Sequence, residues 1–164
     1  MFNEVFYNFW DVYTKYNGVC CTINTVVKSN GDLVMGAGIA KAFASKFPNL
    51  PRIWGTKISQ WPQSFTNIIV TPYCGLPSHL LTQPKNAFIY DCCFIAFPTK
   101  HHYKNSSDIK LIERSAKQLA LVTDAMCWTK VLLPRPGCGC GSLQWSDVKE
   151  VLADILDKRF DIIC

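Results

Sequence analysis

The chain has 164 residues, 49% of them apolar, and a formal charge of +5. This length fits one domain, residues 1–164, and the apolar content suffices for a core without disulfides. The mild basic balance contains no dense Lys/Arg block, so it suits an anionic small ligand without demanding nucleic acid.

Residues 1–16 alternate aromatic and polar side chains (Phe2, Phe6, Tyr7, Phe9, Trp10, Tyr13) and predict an opening strand followed by a short helix or turn. Val19 to Val27 is β-branched and Cys-rich, the pattern of a buried strand. Lys28-Ser29-Asn30-Gly31-Asp32 is a turn. Met35-Gly36-Ala37-Gly38-Ile39 then leads into a helix to Phe47, with Ile39, Ala42, Phe43 and Phe47 on one face and Pro48 as the stop. Pro48 to Pro62 is irregular or holds a short helix, Asn67 to Thr71 is a strand, and Tyr73 to Asn86 is a loop. Ala87 to Phe97 is apolar except for Asp91 and reads as a central strand or hairpin. Ser106 or Ser107 is placed to cap a helix with Ile109, Ile112, Ala116 and Leu119 on its apolar face. Lys130 to Leu133 is a short strand, Ser146 is placed to cap the last helix, and Phe160 to Cys164 is a final strand. Strands alternating with helices predict a three-layer α/β/α fold on a mostly parallel, mixed sheet.

Two glycine-rich loops organise the chain. Gly36 and Gly38 open a helix whose free N–H groups favour negative charge, a cradle for a phosphate or diphosphate. About a hundred residues later Pro136-Gly137-Cys138-Gly139-Cys140-Gly141 follows another strand. Ligands sit at the carboxyl ends of strands in such sheets, so both loops can line one crevice. The full Gly-x-Gly-x-x-Gly spacing and any Gly-Lys-Ser/Thr are absent, which sets aside dinucleotide and P-loop enzymes. Cys138 and Cys140 match no common zinc spacing, and no metal or cofactor is expected. The five tryptophans read as core and pocket walls rather than a nucleic-acid stacking platform. Nine cysteines, several in apolar runs, together with an N-terminus lacking a basic region and no apolar run of membrane length, predict a soluble cytoplasmic protein in a reducing compartment, and a monomer.

Three segments, in this order, carry a family resemblance: Ile23-Asn24-Thr25 with Val34 to Ala40; Phe97-Pro98-Thr99-Lys100-His101 with Ser107 and the following helix; and Leu133-Pro134-Arg135-Pro136-Gly137-Cys138-Gly139 with Leu143-Gln144-Trp145. The chain resembles a macro domain, the ADP-ribose-binding α/β fold, and within it the branch of the terminal ADP-ribose glycohydrolase and the antitoxins that remove ADP-ribose from DNA. The resemblance implies that Gly36 to Ile39 hold the diphosphate and the near side of the distal ribose, and that Gly137 to Gly141 close over the other side. It also implies that Asn8 and Phe9 face adenine, that Asn24, Met35, Thr99 and Pro136 belong to the binding surface, and that Lys100 is the nucleophile. An amine attacks only in its neutral form, which desolvation or a nearby cation favours. His101 and His102 stand beside Lys100 as auxiliary candidates.

There are departures from the pattern. Gly141 occupies the place of an acidic residue that assists product release in the glycohydrolase, Gln144 replaces an acid before the tryptophan, and Asn8 replaces the adenine-side acid. Asp91 and Asp32 are the candidate substitutes. The expected function is binding of ADP-ribose or a related NAD-derived nucleotide, with hydrolysis of ADP-ribose from a modified protein or nucleic acid through Lys100 as the resemblance implies. The alternatives are a non-catalytic reader or nucleotide sponge, and a phosphatase acting on ADP-ribose 1″-phosphate.

Overall fold

The computed structural model describes residues 1–62, 66–72 and 92–164. Its strands form one sheet in the order β1-β6-β5-β2-β4-β3. They are β1 (Asn3–Val5), β2 (Gly18–Ile23), β3 (Ile69–Pro72), β4 (Cys93–Pro98), β5 (Val131–Pro134) and β6 (Phe160–Ile163). Every pairing is parallel except that of β3 with β4. The helices are α1 (Phe9–Val12), α2 (Gly38–Lys46), α3 (Leu50–Ser59), α4 (Ile109–Ala125) and α5 (Trp145–Ala153), and a 3-10 turn at Tyr13–Lys15 follows α1. The expected three-layer α/β/α fold on a mixed, mostly parallel sheet is the one formed.

The period-two alternation of strands builds the two cores. Val19, Cys21 and Ile23 of β2, with Phe94 and Ala96 of β4, pack on one side against Phe9, Tyr13, Phe43, Leu50 and Trp54. Cys20 of β2, with Cys93, Ile95 and Phe97 of β4, packs on the other side against Ile112, Ala116 and Leu119 of α4 and Val148 and Leu152 of α5. Cys20, Cys21 and Cys92 act as small apolar side chains, and burial pushes their thiols up, Cys92 to about 12. Cys20, Cys21, Cys92, Cys127, Cys138, Cys140 and Cys164 are free thiols.

Several boundaries differ from expectation. The strand expected to reach Val27 stops at Ile23, because Asn24 turns its amide to the backbone: Nδ2 donates to Val34 O (2.7 Å) and Oδ1 accepts from Val26 N (2.9 Å). Val27 then forms an isolated antiparallel bridge with Leu33. The stretch after Pro48 is a ten-residue helix, α3. Gly55 lets that helix approach the 31–33 turn, where a Cβ would overlap the Gly31 carbonyl and sit 2.7 Å from Leu33 N. Helix α4 is capped by Asp108, which accepts from Lys110 N (2.9 Å), and not by Ser106 or Ser107. Helix α5 starts after Gln144, so Ser146 lies inside it and caps nothing. The loop expected over 73–86, the first part of the strand expected from 87, Asp91 and His79 lie outside the described residues. No helix among the described residues is long and apolar enough to cross a membrane.

Candidate functional site

Three neighbouring parallel strands, β5, β2 and β4, end at the same side of the sheet, and a cavity of about 510 Å³ opens there. Ile23 and Asn24 follow β2 into it, Thr99 and Lys100 follow β4, and Pro134 and Arg135 close β5. Loop one contributes Gly36 to Ala40, and loop two contributes Gly137, Gly139, Cys140 and Gly141. Both glycine loops therefore face one crevice, the position expected for a ligand on a sheet of this kind.

Loop one is shaped by Gly38, which takes φ +54° at the first turn of α2. No side chain caps this helix start, so its first N–H groups remain available to an anion. A Cβ on Gly36 would meet nothing within 4 Å, and the same holds for Gly139. The two loops approach each other closely enough that a Cβ on Gly38 would touch Cys140 Sγ at 3.9 Å.

Loop two is fixed from within and from below. Leu143 N bonds Gly137 O (3.0 Å), and Ser107 N bonds Gly141 O (2.8 Å). Gly137 has φ +78°, and a Cβ there would crowd Ile112, Leu143 and Ser107. The Ser107 hydroxyl is buried without a hydrogen-bond partner while its residue lines the cavity. Removing such a hydroxyl removes its desolvation cost. Ser107→Ala is therefore expected to leave thermal stability unchanged or raise it by up to about 1 kcal/mol, as read from denaturant unfolding.

Lys100 is 8% exposed. Its Nζ donates to Asn105 O (2.8 Å) and Cys140 O (2.7 Å), so the amine joins the turn after β4 to loop two. Thr99 anchors the same point through its N–H to Ile23 O (2.9 Å). No Asp or Glu is among the described residues that line the cavity. Asp32, a candidate substitute acid, is instead paired with Arg52 (3.1 Å) and bonded by Asn30 Nδ2 (2.8 Å).

The macrodomain of Thermus aquaticus DarG superposes with TM-score 0.73 over 99% of this chain and 97% of that one at 22% identity, and that of Mycobacterium tuberculosis DarG with 0.71 over the same shares at 21%. The fold is that of a macrodomain. The Thermosipho africanus DarTG structure in complex with ADP-ribose gives TM-score 0.71 at 24% identity, covering 91% of this chain and 38% of that one. In sequence the chain is 29% identical over 136 residues to the DNA ADP-ribosyl glycohydrolase of Thermus aquaticus, which is 83% of this chain and 33% of the relative. It is 26% identical over 129 residues to the enzyme of the same description from Mycobacterium tuberculosis, 79% of this chain and 33% of the relative. The resemblance to this branch of the macrodomains thus holds in both fold and sequence, and the chain spans about a third of the length of these curated relatives. No family model matches it.

Of the residues singled out in sequence, this macrodomain gathers Asn24, Gly36, Ala37, Gly38, Ile39, Thr99, Lys100, Gly137, Gly139, Cys140 and Gly141 around one cavity. Met35, Pro136, Cys138, His101 and His102 are not among its lining residues. Met35 is buried in the core, and Cys138 Sγ turns back to Pro136 O (3.5 Å). Asn8 and Phe9 also stand outside the lining. Asn8 caps α1 through Trp10 N (3.0 Å), and the Phe9 ring meets Phe43 edge-on at 5.7 Å in the core. No tryptophan lines the cavity, so the expectation of tryptophan pocket walls does not hold there. Thr22 and Tyr103 line it without having been singled out, Val34 and Arg135 entered the sequence argument only as parts of a motif, and Ser107 as part of a motif and a candidate helix cap. Tyr103 carried one signal, an aromatic residue three positions beyond Lys100.

Proposed function

We propose that this macrodomain binds ADP-ribose in the strand-end cavity and releases it from a modified DNA base through Lys100. The observation that carries the reading is the placement of the Lys100 amine. It is buried in the cavity wall and held by two backbone carbonyls, one from the turn after β4 and one from loop two. The two carbonyl acceptors fix the position of Nζ at the cavity wall, and attack requires the amine in its neutral form. The diphosphate lies against the uncapped start of α2, with Gly36 and Gly38 keeping the backbone bare. The distal ribose then lies between the loops, within reach of Lys100.

In the first step the Lys100 nitrogen forms a bond to C1″ as the bond from C1″ to the base nitrogen breaks. The electron pair of that bond leaves with the base, which takes up a proton. Water then attacks C1″ of the lysine adduct, freeing ADP-ribose and restoring the amine. The description of the similar proteins as DNA ADP-ribosyl glycohydrolases supports DNA as the acceptor. The test is a single-turnover reaction on ADP-ribosylated DNA, quenched with borohydride. The glycosylamine at Lys100 opens its ribose ring to an imine that borohydride reduces, so an adduct on Lys100 with the mass of ADP-ribose less one water plus two hydrogens supports the reading. Release without any such adduct rejects the lysine as nucleophile.

A second reading, a binder without turnover, is favoured by the lack of any carboxylate among the described residues that line the cavity. Tight ADP-ribose binding with no release from DNA would select it.

The binding half is tested separately. Gly36→Val projects a side chain into open cavity space, at a position whose backbone is not in the left-handed region. It is expected to keep the melting temperature and weaken ADP-ribose binding by about a hundredfold or more in calorimetry, because it fills the space of the diphosphate. Gly38 is the poorer site for this test, since its φ of +54° strains any side chain.

A further inference from the structure

We infer that the stacked pair His102–Tyr103 is the platform on which the acceptor base of the DNA lies during release. This inference rests on the ADP-ribose reading of the cavity. Tyr103 lines the cavity and is still 47% exposed, so one part of its ring borders the ligand space and another meets solvent. His102 lies against it, with ring centroids 4.5 Å apart and planes 26° apart. The imidazole thus backs the Tyr103 ring, and Tyr103 is the member of the pair that lines the cavity, three residues beyond Lys100.

The platform is held rather than free. His102 Nδ1 accepts from Lys104 N (3.2 Å), which fixes the imidazole. Asn105 N bonds His102 O (3.1 Å), and Asn105 O in turn receives the Lys100 amine (2.8 Å). His101 O accepts from Thr25 Oγ1 (3.0 Å), tying the turn to the segment after β2. The group that attacks C1″ and the surface beside it are therefore parts of one hydrogen-bonded turn.

The chemistry of this rim matches a base in single-stranded nucleic acid. Aromatic faces stack any base, and stacking is tolerant of sequence. The Lys104 ammonium lies over the Tyr103 ring, 6.0 Å from its centroid, and puts a cation beside the platform that attracts nucleic-acid phosphate. A carboxylate ester of a protein side chain would gain nothing from two stacked rings. The platform gives the leaving group a fixed orientation and is a source of selectivity for DNA over protein acceptors.

The experiment is equilibrium binding of two probes. One is free ADP-ribose, and the other is a five-nucleotide single-stranded DNA with ADP-ribose joined to its central base through an uncleavable carbocyclic ribose. The wild-type chain is expected to bind the DNA adduct about tenfold or more tighter than ADP-ribose. Tyr103→Ala is expected to lower affinity for the adduct about tenfold more than affinity for ADP-ribose, and Tyr103→Phe to preserve both. Lys104→Ala should flatten the salt dependence of adduct binding alone. An adduct that binds no tighter than ADP-ribose overturns the platform, as does an equal loss for both probes in Tyr103→Ala, which would make Tyr103 a wall of the ADP-ribose site. Wild-type protein that binds neither probe would overturn the ADP-ribose reading itself, a result distinct from both.

Discussion

Lys100→Arg is expected to fold, to bind ADP-ribose with an affinity near that of the wild type, and to release it from DNA about a thousandfold more slowly or worse. The guanidinium can still donate to the carbonyls of Asn105 and Cys140, which the wild-type amine holds at 2.8 and 2.7 Å. It does not become a neutral nucleophile, because its pKa lies far above any working pH. Lys100→Ala should lose release to a similar extent but also lose about 2 kcal/mol of stability, since the two bonds that tie the turn after β4 to loop two disappear. The pair of variants therefore separates the chemical role of the amine from its role as a clamp. Single-turnover release and denaturant unfolding on the same samples give both quantities. An arginine variant as fast as wild type would end the lysine mechanism.

Gly141→Asp, which reinstates the acidic residue of the glycohydrolase pattern, is expected to destabilise the protein by roughly 3 kcal/mol or more instead of improving turnover. A Cβ at this position would overlap Ser107 Oγ and the Gly137 carbonyl oxygen and would stand 2.8 Å from Gly137 Cα. The serine oxygen can be removed by mutation, but the Gly137 backbone cannot. Ser107→Ala combined with Gly141→Ala should therefore remain nearly as unstable as Gly141→Ala alone. The acid is tolerated one residue later: Ser142 is exposed and already sits at φ +62°, where a short Asp is among the least strained side chains. Ser142→Asp should melt near the wild-type temperature. A stable Gly141→Asp protein would show that loop two can rearrange around the added side chain.

The glycine at 141 is thus more than an absent carboxylate. The close fold of loop two over Ser107 requires it, with Ser107 N bonded to Gly141 O at 2.8 Å. The same compactness brings the Cys140 carbonyl to the Lys100 amine.

The sequence by itself determined the layers and the loops. Strict alternation in Val19 to Ile23 and Cys93 to Phe97 places successive side chains on opposite faces, and the i, i+3, i+4 spacing in α4 gives it one buried side. The glycines at 36, 38, 137 and 141 marked the two places where backbone comes close to something, and both lie at strand ends, which brings them to one crevice. Local periodicity carries this much because it depends only on residues a few positions apart.

The tertiary structure decided what depends on approach between distant segments. Ser107 fits a helix cap in sequence, yet Asp108 takes that role and Ser107 lies beneath Gly141, thirty-four residues away. Asn24 spends both ends of its amide on Val34 and Val26, so it shapes loop one through the backbone. Asn8 and Phe9 turn to helix capping and the aromatic core, because a short helix start and a buried ring offer them stronger partners than an open cavity. Lys100 acquires its two carbonyl partners, and Tyr103 its place at the rim, only when β4 and β5 lie on either side of β2 and both glycine loops meet above them. Hydrogen bonds and close packing act over a few ångströms in space, and no spacing along the chain encodes which distant backbone atom will supply the partner.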